Sequence, residues 1–356
     1  MKEAILYTKN PDQSVTCGVC PRRCKVPVGG KGFCQSRQNI EGKLYSLIYG
    51  LVSNGIQVDP IEKKPMYHFH PGTQVASIGS LYCNFRCRQC LNWWTTWGAG
   101  EAGKLKPEAV EREISPQELV DLIVKSDLPG LAFTYNEPTI WAEYVHDAAQ
   151  LAKAKGLYTV FVTNGFITPE ALDYIGPYIK AYAVDFKGFS DATYQQMNSA
   201  PTLAPIPEMT KRAQDKWQMK VEITTLLIPT INDNLEELRL MARWIKNNLG
   251  PNTPWHLSSF NPDLAPDPDF KKIPPPPSEL AKKVKNIGQE EGLNFIYIWF
   301  VDPVNHLIDA DTSCPQCHTL TIHRAGYHTE ILAVDSHGHC SKCGFDLGII
   351  TNSNRV

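Results

Sequence analysis

The sequence predicts an α/β protein, a partial (βα)6 barrel with a small four-cysteine module at each end, and three observations lead there. Short apolar runs at 75–79, 130–134, 158–162, 181–184, 220–226 and 255–259 alternate with amphipathic stretches, the pattern of repeated βα units. Eleven cysteines fall into three tight groups separated by long cysteine-free stretches. The 356 residues also leave room for one barrel, which reaches ~250 residues, and accessory modules beside it. The expected organisation is an N-terminal cysteine module with its lead-in over 1–74, the barrel over 75–306, and a zinc-ribbon or rubredoxin-like module over 307–356.

The first cysteine group is Cys17, Cys20, Cys24 and Cys34, set among Pro21, Pro27, Gly29, Gly30 and Gly32, residues that favour turns. Four thiolates in so short a span suit either a closed zinc site or an auxiliary [4Fe-4S] cluster, and the spacing does not separate the two. The second group, Cys83-x3-Cys87-x2-Cys90, follows directly on the first barrel strand. Three thiolates from one loop can hold three irons of a cubane and leave the fourth open to a ligand. A partial zinc site borrowing His68 or His70 is the competing reading. Trp93, Trp94 and Trp97 come just after, as packing residues or as a shield and stacking surface for the site.

Along the barrel, Ser115 caps a helix over 115–126, with Glu118 completing a capping box, and a helix over 234–248 is closed by Gly250 and Pro251. The Asp185-x-Lys187 spacing places both side chains on one side of an extended segment, with a strand-end ion pair as the plain alternative to a binding role. The proline-rich stretch 261–277 reads as a long exposed loop, and the apolar run 293–301 either extends the sheet or joins it to the tail. The third group, Cys314, Cys317, Cys340 and Cys343, makes two Cys-x2-Cys pairs that predict a closed tetrahedral site for zinc or iron. Such a site stabilises the tail after about residue 310. The nearby His318, His323, His328, His337 and His339 are not needed as ligands and read as surface residues.

Together with Cys83, Cys87 and Cys90, the motifs Pro60-Ile61-Glu62-Lys63-Lys64-Pro65, Cys90-x-Asn92-Trp93, Thr134-Tyr135-Asn136-Glu137-Pro138, Thr163-Asn164-Gly165, Asp185-Phe186-Lys187-Gly188 and Glu222-Ile223-Thr224-Thr225-Leu226 resemble the radical S-adenosylmethionine (SAM) superfamily. The likeness is to its pyruvate formate-lyase activating enzyme-like branch, and most of all to the AmmeMemoRadiSam-system enzymes, and it runs over nearly the whole chain. It implies a [4Fe-4S] cluster on Cys83, Cys87 and Cys90, with SAM on the open iron cleaved to a 5′-deoxyadenosyl radical that abstracts hydrogen from a substrate. It implies further that Glu137, beside Asn136, meets the SAM ammonium, although the usual Gly-Gly-Glu is here Tyr135-Asn136-Glu137. Asp185 and Lys187 would hold the SAM carboxylate and ribose region, with Asn164 and His256 as further contacts, a satisfied core histidine being the alternative for His256. A low-potential donor of the flavodoxin or ferredoxin type would supply the electron. The substrate expected from this branch is a protein or peptide. A small-molecule oxidoreductase or maturase with an auxiliary cluster, and a zinc-binding adaptor, are the alternatives.

Composition narrows the partners. A hydrophobic fraction of 42%, a charged fraction of 20% and a net charge of -2 give no general attraction for nucleic acid or an anionic membrane. No run approaches the ~18 apolar residues of a membrane span, and the first residues lack the basic-then-apolar pattern of a leader. The chain is therefore expected to be cytoplasmic, with no nucleic-acid or membrane partner.

Overall fold

In a computed structural model, which describes residues 1–53, 55–101, 104–105, 109–301 and 306–351, the apolar runs become neighbouring strands of one sheet. Its strands are β1 (Gln57–Pro60), β2 (Gln74–Ile78), β3 (Gly130–Phe133), β4 (Tyr158–Thr163), β5 (Ala181–Asp185), β6 (Lys220–Leu227), β7 (Trp255–Ser259), β8 (Ile296–Val301) and β9 (His306–Asp309), hydrogen-bonded in that order. From β2 to β8 every pairing is parallel, while β1 and β9 close the edges antiparallel. The sheet is an open barrel, since among the described residues β1 and β9 do not pair with each other. The run at 293–301 supplies β8, one parallel strand more than the six expected. Helix α7 (Ser278–Glu290, below) provides the crossover that a further parallel strand needs.

The crossover helices are α1 (Pro116–Lys125), α2 (Ala142–Ala154), α3 (Pro169–Ile175), α4 (Asp191–Gln196), α5 (Pro205–Trp217), α6 (Leu235–Leu249) and α7 (Ser278–Glu290). Ser115 Oγ accepts from Glu118 N and Glu118 Oε2 accepts from Ser115 N, so the capping box forms as its sequence requires. Asn234 caps α6 through Glu236 N and Glu237 N, and Gly250, at φ 100°, ends it. The helices cover the outer face of the sheet, where Phe133, Phe161, Tyr182, Ile223 and Leu257 are fully buried.

The inner face is filled from two distant parts of the chain. Val75, Ala132, Val160, Ala181 and Ala183 pack against Ile61, Met66 and Phe69, with Ile350 beside them. Small inward residues leave the space that these plugs take. The C-terminal cysteine module, built on strands Thr312–Ser313, Leu320–Ala325 and His328–Ile331, packs under the barrel and is not a detached tail. Lys220 Nζ, at the start of β6, donates to Gly348 O at 2.6 Å, and His68 binds Leu347 O at 2.9 Å. The proline-rich stretch is exposed over much of its length but is anchored at two points. Phe270 and Ala265 are buried against Phe260, Ile228 and Met197, and Asp267 pairs with Arg88 at 2.8 Å. No helix among the described residues is long and apolar enough to cross a membrane.

The N-terminal strands form two small sheets, Tyr7–Lys9 with Val15–Cys17 and Lys25–Val26, and Lys2–Glu3 with Lys43–Ser46 and Arg37–Ile40. A bidentate pair ties them to the barrel, Arg37 to Glu143 of α2 at 2.9 and 2.6 Å, with both side chains 1% exposed. Burial alone would raise the Glu143 carboxyl, but Arg37 outweighs it and holds it below the usual carboxylate range. Glu143→Gln is expected to cost ~3–5 kcal/mol, because it strands a buried guanidinium. Urea denaturation checks this, and the wild-type contribution is lost as pH falls below the ordinary carboxylate pKa, through the depressed folded value.

Candidate active site

The loop after β2 is held in place before any ligand is considered. Ser80 Oγ donates to Leu51 O at 2.8 Å, and Ser80 N donates to Asn136 Oδ1 at 3.0 Å. Asn136 Nδ2 reaches back to Tyr82 O at 3.0 Å, and Asn92 Nδ2 to Tyr135 O at 2.7 Å. Gly79 allows the strand ends to meet here, since a Cβ would lie 2.7 Å from Thr134 O. Asn136 thus acts on the backbone of the cysteine loop.

Cys83, Cys87 and Cys90 sit on this loop at the C-terminal end of the parallel sheet, Cys87 buried and the other two half-buried. Cys83 Sγ accepts from Phe85 N at 3.3 Å, Cys87 Sγ lies 2.9 Å from Ser199 Oγ, and Cys90 Sγ lies 3.7 Å from Thr96 Oγ1. Burial raises all three thiols, Cys90 to about 11, with Glu137 adding to the effect on Cys83 and Lys187 opposing it at Cys87. A bound cation would reverse that by taking the thiolates. The borrowed-histidine zinc site does not form. His68 is buried between Leu347 O at 2.9 Å and Tyr297 OH at 2.6 Å, and His70 stacks on Tyr158 at 4.6 Å.

Asp185 and Lys187 leave β5 on the same rim, with Lys187 Nζ 3.3 Å from Asp185 Oδ2. Asp185 is 50% exposed, which leaves carboxylate surface for a ligand, and Lys187 is 17% exposed. Burial alone would lower the Lys187 ammonium, but Asp185 and the Cys87 and Cys90 thiols raise it. The turn behind it depends on Gly188, whose Cβ would stand 2.8 Å from Glu237 Oε1, the atom that accepts from Phe189 N.

The other three expected SAM contacts are already engaged by the chain. Glu137, 1% exposed, accepts from Thr139 N at 2.9 Å, Thr163 Oγ1 at 2.7 Å and Asn164 N at 2.7 Å, so it ties the ends of β3 and β4 together. Asn164 Nδ2 donates to Asn84 Oδ1 at 2.8 Å and reaches Cys83 Sγ at 3.9 Å, which makes it a support of the cysteine loop. His256 takes the core position that a strand histidine often occupies. Its Nε2 is 2.7 Å from Glu222 Oε2, its ring lies between Tyr67 and Tyr297, and it is 5% exposed. Glu222 also accepts from the backbone of Tyr67 and His68, so the strand motif that contains it pins the barrel plug.

Trp93 and Trp94 are exposed at 39% and 48%, against the packing role open to them, and Trp93 meets Trp97 at 5.6 Å. A cleft of about 400 Å³ borders the loop through Arg86, Arg88, Trp97, Asn198 and Pro266 to Pro268. Cys83, Cys87, Cys90, Asp185 and Lys187 do not line it.

The accessory thiols differ in spacing. Cys314, Cys317, Cys340 and Cys343 have their sulfurs within 4.8 Å of one another, with 3.5 Å between Cys314 and Cys343 and 3.7 Å between Cys317 and Cys340. That matches one tetrahedral ion with Zn–S of ~2.3 Å. Thr319 holds the Cys317 thiol down to about 6. Burial pushes Cys17 up to about 11 and Cys20 higher still, and the neighbouring thiols add to both.

Residues 77–245 match the family model described as the radical SAM superfamily. The chain is 37% identical over 352 residues to the uncharacterized protein MJ0808 of Methanocaldococcus jannaschii, covering 98% of this chain and 100% of that protein. Two more proteins of that organism carry provisional names as glycyl-radical enzyme activating enzymes. MJ1632 is 24% identical, covering 58% of this chain and 76% of its own length, and MJ1227 is 23% identical, covering 62% and 87%.

Proposed function

The chain belongs to the radical SAM superfamily, and from that premise we propose that it cleaves SAM reductively at a [4Fe-4S] cluster on Cys83, Cys87 and Cys90 and removes a carbon-bound hydrogen from a protein or peptide. The observation that carries the reading is the set of three thiols on one loop at the C-terminal rim of the sheet, beside the half-exposed Asp185 and Lys187. Three protein thiolates suit a cubane with one iron left for a ligand. When bound, the cluster supplies the electron that splits SAM into methionine and the 5′-deoxyadenosyl radical.

The chain's own part is to orient and to balance charge. The Lys187 ammonium, which interacts electrostatically with Cys87 and Cys90, would offset the negative charge that they carry as ligands, while leaving a cation for the SAM carboxylate. Asp185 offers its exposed carboxylate edge to the ribose hydroxyls or the ammonium. Asn136, Glu137 and Asn164 fix the cysteine loop from β3 and β4, and act as positioning residues.

The names of MJ1632 and MJ1227 favour an activating role, in which the hydrogen donor is another polypeptide. The test uses anaerobically reconstituted protein with SAM and reductant, supplied with extract from cells grown on deuterated amino acids and split by ultrafiltration. The retained protein fraction is expected to increase 5′-deoxyadenosine formation and to transfer deuterium into it. Stimulation and deuterium transfer from the small-molecule filtrate alone would replace the protein substrate with a small one.

A further inference from the structure

The proposed chemistry makes no use of the first four cysteines, yet the fold brings them together and sets them against the catalytic loop. Cys17 N donates to Cys24 O at 3.0 Å across the small N-terminal sheet, and Cys20 stands in the turn between them, where Arg23 N donates to Cys20 O at 3.1 Å. Phe33 N, next to Cys34, donates to Cys24 Sγ at 3.5 Å. Cys17, Cys20 and Cys34 are buried at 7 to 8% exposure, and Cys24 is half-buried.

Their spacing is unlike that of the C-terminal set. Among the described residues, Cys314, Cys317, Cys340 and Cys343 alone form a group of three or more ligand atoms all within 4.8 Å of one another. No three of the N-terminal sulfurs satisfy that condition, and neither do those of Cys83, Cys87 and Cys90. One tetrahedral zinc needs sulfurs about 3.8 Å apart, whereas a cubane puts each thiolate on a different iron and spreads them to roughly 6 Å. One chain therefore holds a mononuclear spacing and two wider ones.

The two wide sets also touch through arginines. Arg86 donates to Phe33 O at 2.7 Å and to Cys83 O at 2.8 Å, so one guanidinium bridges the residue before Cys34 and a candidate ligand of the catalytic cluster. Arg22, two residues after Cys20, donates to Asn84 O at 2.7 Å and to Ser199 O at 3.1 Å, and Ser199 Oγ lies 2.9 Å from Cys87 Sγ. Phe33 is held between both guanidiniums, at 3.6 Å from Arg22 and 4.7 Å from Arg86.

We infer that Cys17, Cys20, Cys24 and Cys34 bind a second [4Fe-4S] cluster that passes electrons to the cluster on Cys83, Cys87 and Cys90. Four thiolates leave no open iron, so this cluster binds neither SAM nor substrate, and electron transfer is the chemistry left to it. A low-potential one-electron donor of the flavodoxin or ferredoxin class reduces it from the 2+ to the 1+ state. The same electron then moves to the catalytic cluster, the N-terminal cluster returns to 2+, and no atom changes place. The relay rests on the proposed radical SAM reaction, and the cluster itself does not.

The full chain carrying C83A, C87A and C90A together, reconstituted anaerobically, tests the binding. It is expected to retain about four irons and four sulfides per chain. It should also give the paramagnetic signal of a reduced cubane with dithionite, lost on adding Cys24→Ala. A second zinc without sulfide, or no metal beyond the C-terminal ion, overturns the cluster. With the catalytic cysteines intact, Cys24→Ala is expected to lower the ratio of flavodoxin-driven to dithionite-driven SAM cleavage at least tenfold, and an unchanged ratio overturns the relay. Failure of the wild type to cleave SAM under either reductant, with both iron counts as expected, would strike the proposed reaction and leave the second cluster standing.

Discussion

Cys87→Ala is expected to reduce 5′-deoxyadenosine formation to the level of a no-enzyme control and to remove about four irons per chain, while the C-terminal metal stays bound. Cys87 is the most enclosed of the three loop cysteines, with its sulfur against Ser199 Oγ and within the field of Lys187, so no solvent ligand can take its place. Cys83→Ala and Cys90→Ala are expected to act the same way, because a cubane with only two protein thiolates has lost the attachment that sets its orientation on the rim. Lys187→Met separates ligation from charge balance. Iron content should hold while SAM affinity falls by ~1.5–3 kcal/mol, the range of a hydrogen bond to a charged group. Undiminished SAM cleavage in all three cysteine variants would remove these residues from the reaction.

Local signals in the sequence reached some of this and could not reach the rest. The runs that became β3 to β5 are largely apolar on both faces because helices and plug cover both, and such runs stand out without any partner in view. The cysteine loop and the C-terminal pairs were legible because metal ligation imposes short spacings. β1 carries no such signal, because Gln57–Pro60 is exposed over its first half and ends in proline, as an edge strand can. The roles of Glu137 and His256 depend on donors and acceptors from other elements, Thr163 and Asn164 for one and Glu222 for the other, and no motif encodes those pairings. His68 is the extreme case, since its partner Leu347 lies 279 residues away. Chemistry on one loop was therefore readable, and the buried polar scaffold behind it was not.

The same long-range pairing changes what loss of the C-terminal metal should do. The module's core is shared with the barrel, where Cys314, Cys340, Leu347 and Ile349 cluster with Tyr67, Phe295 and Tyr297. Arg324, fully buried, donates to Tyr67 O, Ala310 O and Thr312 Oγ1, each at 2.8 Å, and lies over the Tyr67 ring at 4.2 Å. Glu62 accepts from Gly72 N at 2.7 Å and Thr329 Oγ1 at 2.9 Å, and His70 N donates to Ile350 O at 2.7 Å. These contacts lie toward the start of β6, where Lys220 holds Gly348, at the opposite end of the sheet from the Cys83 loop. That placement suits a structural site, and its failure is expected to reach beyond the tail. Cys340→Ala, at a fully buried ligand, is expected to release one metal atom per chain and lower Tm by roughly 10 °C, because folding of such modules is coupled to metal binding. Hydrogen exchange should rise at 61–72 as well as at 310–351, since the plug loses the groups that satisfy Glu62, His68 and the Tyr67 carbonyl. Exchange rising at 310–351 alone would show instead that the barrel keeps its own plug and that the metal stabilises the tail alone.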